Sequence, residues 1–176
     1  MNGLPQESQK MRKNSGFTTF ELAVSLAVMA VIAALVLPPY LQWLRGHRLR
    51  GAVINLKGDL EMAKIRAIRE NTFVVVRFAQ NSYTIFLDDG RAGGTAEDWK
   101  PDGEIIIKTR TLPTGVQFDL AQITFEHIAS AATDDITRFN GRGLPDRVTA
   151  KTDITLRTPS SDSSIAINRL GHMSVQ

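Results

Sequence analysis

Few residues in this chain are spaced for chemistry. The three histidines, His47, His127 and His172, stand far apart and there is no cysteine, so neither a zinc site of ordinary His/Cys spacing nor a disulfide framework can be built. No G-x-S-x-G, H-E-x-x-H or Walker-type glycine loop occurs, and Gly90, Gly93 and Gly94 lie in a turn-rich stretch rather than between a strand and a helix. Asp88, Asp89, Glu97, Asp98 and Asp102 could offer calcium hard oxygen ligands, but their spacing fits no EF-hand and they read as solvated loop acids. No catalytic residue, metal or cofactor is expected. The residue that stands out is Glu21, a carboxylate inside an otherwise apolar run from Ser15 to Pro38. A charge there costs roughly 2.5–3.5 kcal/mol on insertion scales, so it needs a partner.

The element that carries Glu21 is long enough to cross a bilayer, which takes about 20 mostly apolar residues. A conventional secretory signal has an apolar core of about 7–15 residues and a small-residue cleavage site. This run is longer and leads straight into more helix. Lys10, Arg12 and Lys13 precede it and Arg45, Arg48 and Arg50 follow it, so flanking charge alone does not set its orientation. Pro38 and Pro39 interrupt the pattern. A proline inside a helix removes a hydrogen bond and clashes with the preceding turn, at roughly 3 kcal/mol, so a kink or a locally melted segment is expected there.

The hexapeptide Gly16-Phe17-Thr18-Thr19-Phe20-Glu21 follows basic residues and precedes a charge-free run ending at Pro38. It resembles the class III signal of type IV pilins and pseudopilins. The resemblance implies a cytoplasmic prepilin leader over residues 1–16, cut between Gly16 and Phe17 by a prepilin peptidase, with N-methylation of Phe17. It implies a membrane and polymerisation helix over 17–44, with Glu21 and Pro38 serving assembly. The partners implied are that peptidase, other pilin or pseudopilin subunits and an inner-membrane assembly platform. The place implied is the bacterial inner membrane, crossed once, with the carboxyl-terminal domain in the periplasm before extraction into a filament.

An amphipathic helix is expected over residues 45–71. Leu49, Ala52, Val53, Leu56, Leu60, Ala63 and Ala67 step by three and four along one face; Arg50, Lys57, Asp59, Lys64, Arg66 and Arg69 are assigned to the other. After Asn71 the period becomes extended. T-F-V-V-V-R-F-A and Y-T-I-F-L-D form a hairpin across Gln80-Asn81-Ser82, and E-I-I-I-K-T-R resumes a strand after the breaker-rich loop from Asp88 to Gly103. Further strands are expected at Val116–Phe118, Gln122–Glu126, Ile136–Phe139, Ile154–Thr158, Ser164–Asn168 and His172–Val175. The fold class is therefore α+β: a long N-terminal helix packed on an antiparallel, two-sheet β domain over residues 72–176. This order of segments resembles the globular domain of the pseudopilin H and fimbrial T (GspH/FimT) group.

The chain holds 21 basic and 18 acidic residues, a formal charge of +3. Most of that excess lies in the leader, where Lys10, Arg12 and Lys13 face Glu7, so basicity alone does not indicate a polyanion partner. Toward the carboxyl end Arg138, Arg142, Arg147, Lys151, Arg157 and Arg169 outnumber Asp146, Asp153 and Asp162. Some fimbrial T relatives bind DNA through a G-R-x-R pattern on the last hairpin. This chain has N-R-L-G-H there, with Arg169 and His172 but no second arginine. The leading expectation is a noncatalytic minor pilin or pseudopilin of a type IV pilus or type II secretion system, near the filament tip. The alternative is an envelope DNA-binding minor pilin for DNA uptake, with Arg142, Arg169 and His172 as contacts. An enzyme or small-ligand domain on a signal anchor has no supporting motif.

Overall fold

The computed structural model describes residues 16–97, 99–101, 103–123, 135–146 and 151–176. The leader up to residue 15, Asp98, Asp102, His127, Arg147 and the end of the strand expected at Gln122–Glu126 lie outside them. The chain divides into two compact units, Met1–Tyr40 and Leu41–Gln176.

One helix, α1, is assigned over Thr19–Glu70, and it passes through Pro38 and Pro39. The expected melting at the two prolines is therefore absent. Proline's fixed φ is itself close to helical, so the helical path continues although each proline lacks an N–H to donate. The amino end of α1 is a capping box. The Glu21 N–H donates to Thr18 Oγ1 at 3.2 Å and the Thr18 N–H donates to Glu21 Oε2 at 3.4 Å, so two of the donors that a helix start leaves unpaired are satisfied reciprocally. The carboxyl end is closed by Asn71, whose φ of 49° is left-handed. Its N–H donates to the Ile68 carbonyl and that of Thr72 to the Ala67 carbonyl, a Schellman-type stop in which asparagine takes the place glycine usually fills.

Among the described residues eight strands follow: β1 (Val74–Ala79), β2 (Ser82–Leu87), β3 (Ile105–Thr111), β4 (Gln117–Phe118), β5 (Asp135–Phe139), β6 (Lys151–Thr158), β7 (Ser161–Asn168) and β8 (Met173–Val175). They form two antiparallel four-stranded sheets, ordered β3-β2-β1-β5 and β4-β6-β7-β8. The β1–β2 hairpin closes with Ala79 opposite Ser82. The segment expected as a strand from Gln122 instead begins with a short 3-10 helix, Leu120–Gln122, and Ile123 is not in a strand.

The main core joins the helix stripe to both sheets. Leu49, Ala52, Val53, Leu56, Leu60, Ala63 and Ala67 pack with Val74, Val76, Phe78, Tyr83 and Ile85 of one sheet and Ile154, Leu156, Ile165 and Ile167 of the other. The first sheet is covered on its opposite face as well, where Val75, Phe86, Trp99 and Ile136 form a second cluster. This is why β1 reads as an unbroken apolar run rather than an alternating one. Leu60 is 0% exposed, whereas Arg66 faces outward in an ion pair with Glu70 at 2.7 Å. Leu60→Ala is expected to lose about 2–5 kcal/mol of stability and Arg66→Ala no more than about 0.5 kcal/mol. Equal shifts in denaturant midpoint for the two would mean that the buried face is misassigned.

The outer face of α1 departs from the expected charged surface in two respects. Ile54 and Ile65 are 68% and 61% exposed there. Asp59, expected in solvent, is only 7% exposed. It lies three residues after Leu56 and four before Ala63, at the margin of the apolar stripe, where the sheet rather than water meets it.

Candidate functional site

Three groups of polar residues bear on function. The first is the amino end of α1. Gly16 and Phe17 precede the helix, and Phe17 is 77% exposed. Glu21 is exposed, and its carboxylate lies within reach of the Thr18 N–H and Oγ1. From Phe20 to Leu37 every residue is exposed, and none of the most apolar window of α1 is buried within the protein. Pro38 lies on the same exposed helix. The capping box was legible as Thr18-Thr19-Phe20-Glu21, a T-x-x-E signature before an apolar run, and it gives Glu21 a local contact in addition to the assembly role that the resemblance implies.

The second group is a basic corner. The turns Asn140–Leu144 and Asn168–His172 are built alike. Asn140 Oδ1 accepts from the N–H groups of Arg142 and Leu144 at 3.0 and 3.1 Å; Asn168 Oδ1 accepts from those of Leu170 and His172, each at 3.0 Å. In both turns the glycine N–H returns to the asparagine carbonyl. The two turns pack together so closely that a Cβ on Gly171, whose φ is +70°, would lie 2.8 Å from the Gly143 carbonyl oxygen. Lys64 of α1 seals the junction by donating from Nζ to the Gly171 carbonyl at 2.9 Å. Arg142, Arg169 and His172, scattered in the sequence, are thus carried on adjoining turns and are exposed. Two other arginines of the carboxyl-terminal set are committed elsewhere. Arg138 is buried, paired with Asp146 at 2.7 Å and sandwiched between the rings of Phe73 and Trp99 at 4.0 and 3.9 Å, and Arg157 is paired with Asp119 and Asp162.

The third group centres on Asp59. Its Oδ2 accepts from the Tyr83 hydroxyl at 2.6 Å and from Arg110 Nε at 2.9 Å, and its Oδ1 accepts from Lys108 Nζ at 2.6 Å. Burial pushes the Asp59 carboxyl up, but the hydrogen bonds from Lys108 and Tyr83 and the charges of Arg110 and Lys108 outweigh it and hold it below the usual carboxylate range. Burial, followed by the bond to Asp59, pushes the Tyr83 phenol well above its ordinary value. The cluster ties α1 to β2 and β3. The sequence held one clue to it, the i, i+2 spacing of Lys108 and Arg110 on a strand.

The acidic loop is occupied by its own backbone. Asp88 accepts from the Trp99 N–H, Glu104 accepts from the N–H groups of Asp89 and Gly90, and Asp89 pairs with Arg91. Among the described residues no group of three or more His, Cys, Asp or Glu side chains is arranged to hold a metal ion.

A helix laid on two antiparallel sheets, with an exposed apolar amino-terminal half, is a pilin-like architecture. The family model described as type II transport protein GspH matches residues 52–171, and the chain belongs to that family, which comprises structural pilin and pseudopilin subunits. No match was found among curated proteins. The fold is similar to that of the type IV minor pilin FimU of Pseudomonas aeruginosa PAO1, at 11% identity and a TM-score of 0.52, covering 74% of this chain and 89% of that one. It is also similar to the minor pseudopilin EpsH of the type 2 secretion system of Vibrio cholerae, at 15% identity and a TM-score of 0.50, covering 73% of this chain and 96% of that one.

Proposed function

We propose that the chain is a noncatalytic minor pilin or pseudopilin of a type IV filament system, either a type IV pilus or a type II secretion apparatus, that takes its place near the filament tip. The observation that carries this is the wholly exposed apolar half of α1, in a chain whose remaining part matches the GspH model. Such a surface is stable only in lipid or against other apolar helices. A prepilin peptidase cuts after Gly16 on the cytoplasmic side, the new amino terminus at Phe17 is methylated, and the domain beyond the span lies in the periplasm. The inner-membrane platform then lifts the subunit into a filament, where Pro38 marks the stretch that loosens.

Processing tests this reading. A larger side chain at position 16 would not enter a membrane-surface site shaped for glycine, so Gly16→Val should accumulate as uncut precursor. The wild-type chain should have the mass of a polypeptide that begins at N-methyl-Phe17. A mature protein beginning elsewhere would sink the assignment.

A second reading, an envelope DNA-binding pilin, is favoured by one observation, the convergence of the turns that carry Arg142, Arg169 and His172. So few charges neutralise few phosphates, so binding by them would be weak and its dependence on salt shallow. That reading requires a duplex-DNA shift that the paired substitution R142Q/R169Q removes.

A further inference from the structure

Just beyond its apolar run α1 carries positive charge that, among the described residues, no carboxylate neutralises. Between Glu21 and Asp59 the chain contains no Asp or Glu, but it contains Arg45, Arg48, Arg50 and Lys57. Arg45, His47, Arg48 and Arg50 are all exposed. Among the described residues none of these three arginines forms a salt bridge. Arg48 reaches only a neutral acceptor, the Thr114 carbonyl at 3.4 Å. The first carboxylate along the helix, Asp59, is already filled by Tyr83, Lys108 and Arg110.

The arrangement of these charges indicates what they meet. With 3.6 residues per turn, successive residues are about 100° apart, so positions 45, 47, 48 and 50 are spread over the part of the helix circumference that Leu49, packed into the core, leaves open, rather than along one stripe. A protein partner docks from one side and would require a stripe; a layer of anions surrounding the helix requires a collar. Trp43, exposed and edge-on to His47 at 4.2 Å between ring centroids, immediately precedes the collar. An amphipathic indole ring favours the boundary between acyl chains and headgroups.

We propose that Arg45, Arg48 and Arg50 bind the phosphodiester headgroups of anionic phospholipids in the leaflet from which α1 emerges. The inference rests on the reading of the apolar run as a membrane span. Guanidinium groups pair with phosphate oxygens through two parallel N–H donors, and each basic residue close to an anionic surface strengthens binding by about fivefold. The collar thereby makes residence in the membrane dependent on headgroup charge as well as on apolar burial.

The test uses the full chain. Carbonate washing of vesicles that contain it addresses the span first, because release of the protein would overturn the membrane reading irrespective of the collar. The chain in nonionic detergent is then offered phosphatidylglycerol or phosphatidylcholine, and retained lipid is counted by native mass spectrometry. Wild type should prefer phosphatidylglycerol, with the preference falling about fivefold for each of R45Q, R48Q and R50Q and shrinking in high salt. K57Q should leave it unchanged. Inorganic phosphate at the same phosphorus concentration should not displace the lipid. Circular dichroism checks that each single variant is folded as wild type is. Equal retention of the two lipids by wild type would overturn the proposal, as would a preference that survives all three single substitutions. So would arginine-dependent displacement of the lipid by duplex DNA, which would assign the collar to nucleic acid.

Discussion

Glu21→Ala should be inserted and cleaved as wild type is, yet be missing from filaments. The carboxylate lies one helical turn beyond Phe17, whose amino group, under the processing proposed above, becomes a cation that methylation leaves charged. Within one subunit both groups belong to the same helix end, and the carboxylate is already engaged with Thr18. In the proposed filament, an incoming amino terminus drawn level with a neighbour's Glu21 would pair two charges that are otherwise costly in an apolar bundle. Such a pair sets register more than it adds net stability, but removing one member strands the other at roughly 3–5 kcal/mol. The capping box offers a competing explanation of smaller size, since loss of a cap is worth about 0.5–2 kcal/mol. Glu21→Gln separates the two, because its amide oxygen can still accept from the Thr18 N–H while the charge is gone. If pairing between subunits dominates, Gln fails as Ala does and Asp, one methylene shorter, is partly defective. Crosslinking to the other filament subunits, alongside a membrane-fraction control, reads the result. Normal incorporation of Glu21→Gln would reduce Glu21 to a helix cap.

A large effect on folding, with a dependence on pH, is expected at Asp59. Asp59→Ala leaves the Tyr83 hydroxyl, Lys108 and Arg110 facing a site without an acceptor, and it should lower stability by about 3 kcal/mol. The lower part of the range for broken buried pairs applies, because the side chains of Lys108 and Arg110 are each 35% exposed and can turn toward water. Asp59→Asn should lose less, because its amide oxygen still accepts one bond. Acid sensitivity follows from the same geometry. The folded-state pKa of Asp59 is depressed, so the unfolded chain binds the proton first as pH falls. The stabilisation is full above the unfolded carboxylate pKa of about 3.9 and is lost as pH falls through the folded value. Tyr83 acts at the other extreme. Its raised pKa keeps the folded phenol neutral while the unfolded one ionises, so stability declines above about pH 10. Unfolding of the full chain in denaturant across pH, for wild type and Asp59→Ala, checks both signs. An acid limb of equal steepness in the two proteins would show that Asp59 does not carry the effect.

Local sequence reveals much at both ends of α1. Thr18 and Glu21 meet within one turn, and Leu49, Leu56, Leu60 and Ala67 share a face because 3.6 residues make a turn; both are consequences of covalent spacing. The β1–β2 hairpin was legible for the same reason, its strands being joined by two residues. At the start of the segment expected as a strand from Gln122, the apolar residues are too few to distinguish an extended stretch from the short helical turn found at Leu120–Gln122.

Local spacing therefore sufficed for the apolar run, the buried stripe and the α+β class, since each depends on neighbours within a turn or a hairpin. It could not show that Asp59 is buried, because that depends on where Tyr83, Lys108 and Arg110 arrive from two strands distant in sequence. Nor could it show that Arg142 and Arg169 ride on adjoining turns while Arg138 is spent between two aromatic rings. Those outcomes come from long-range packing: a charge stays in solvent or finds a partner according to which surfaces the closed sheets bring against it, and only chain closure sets that.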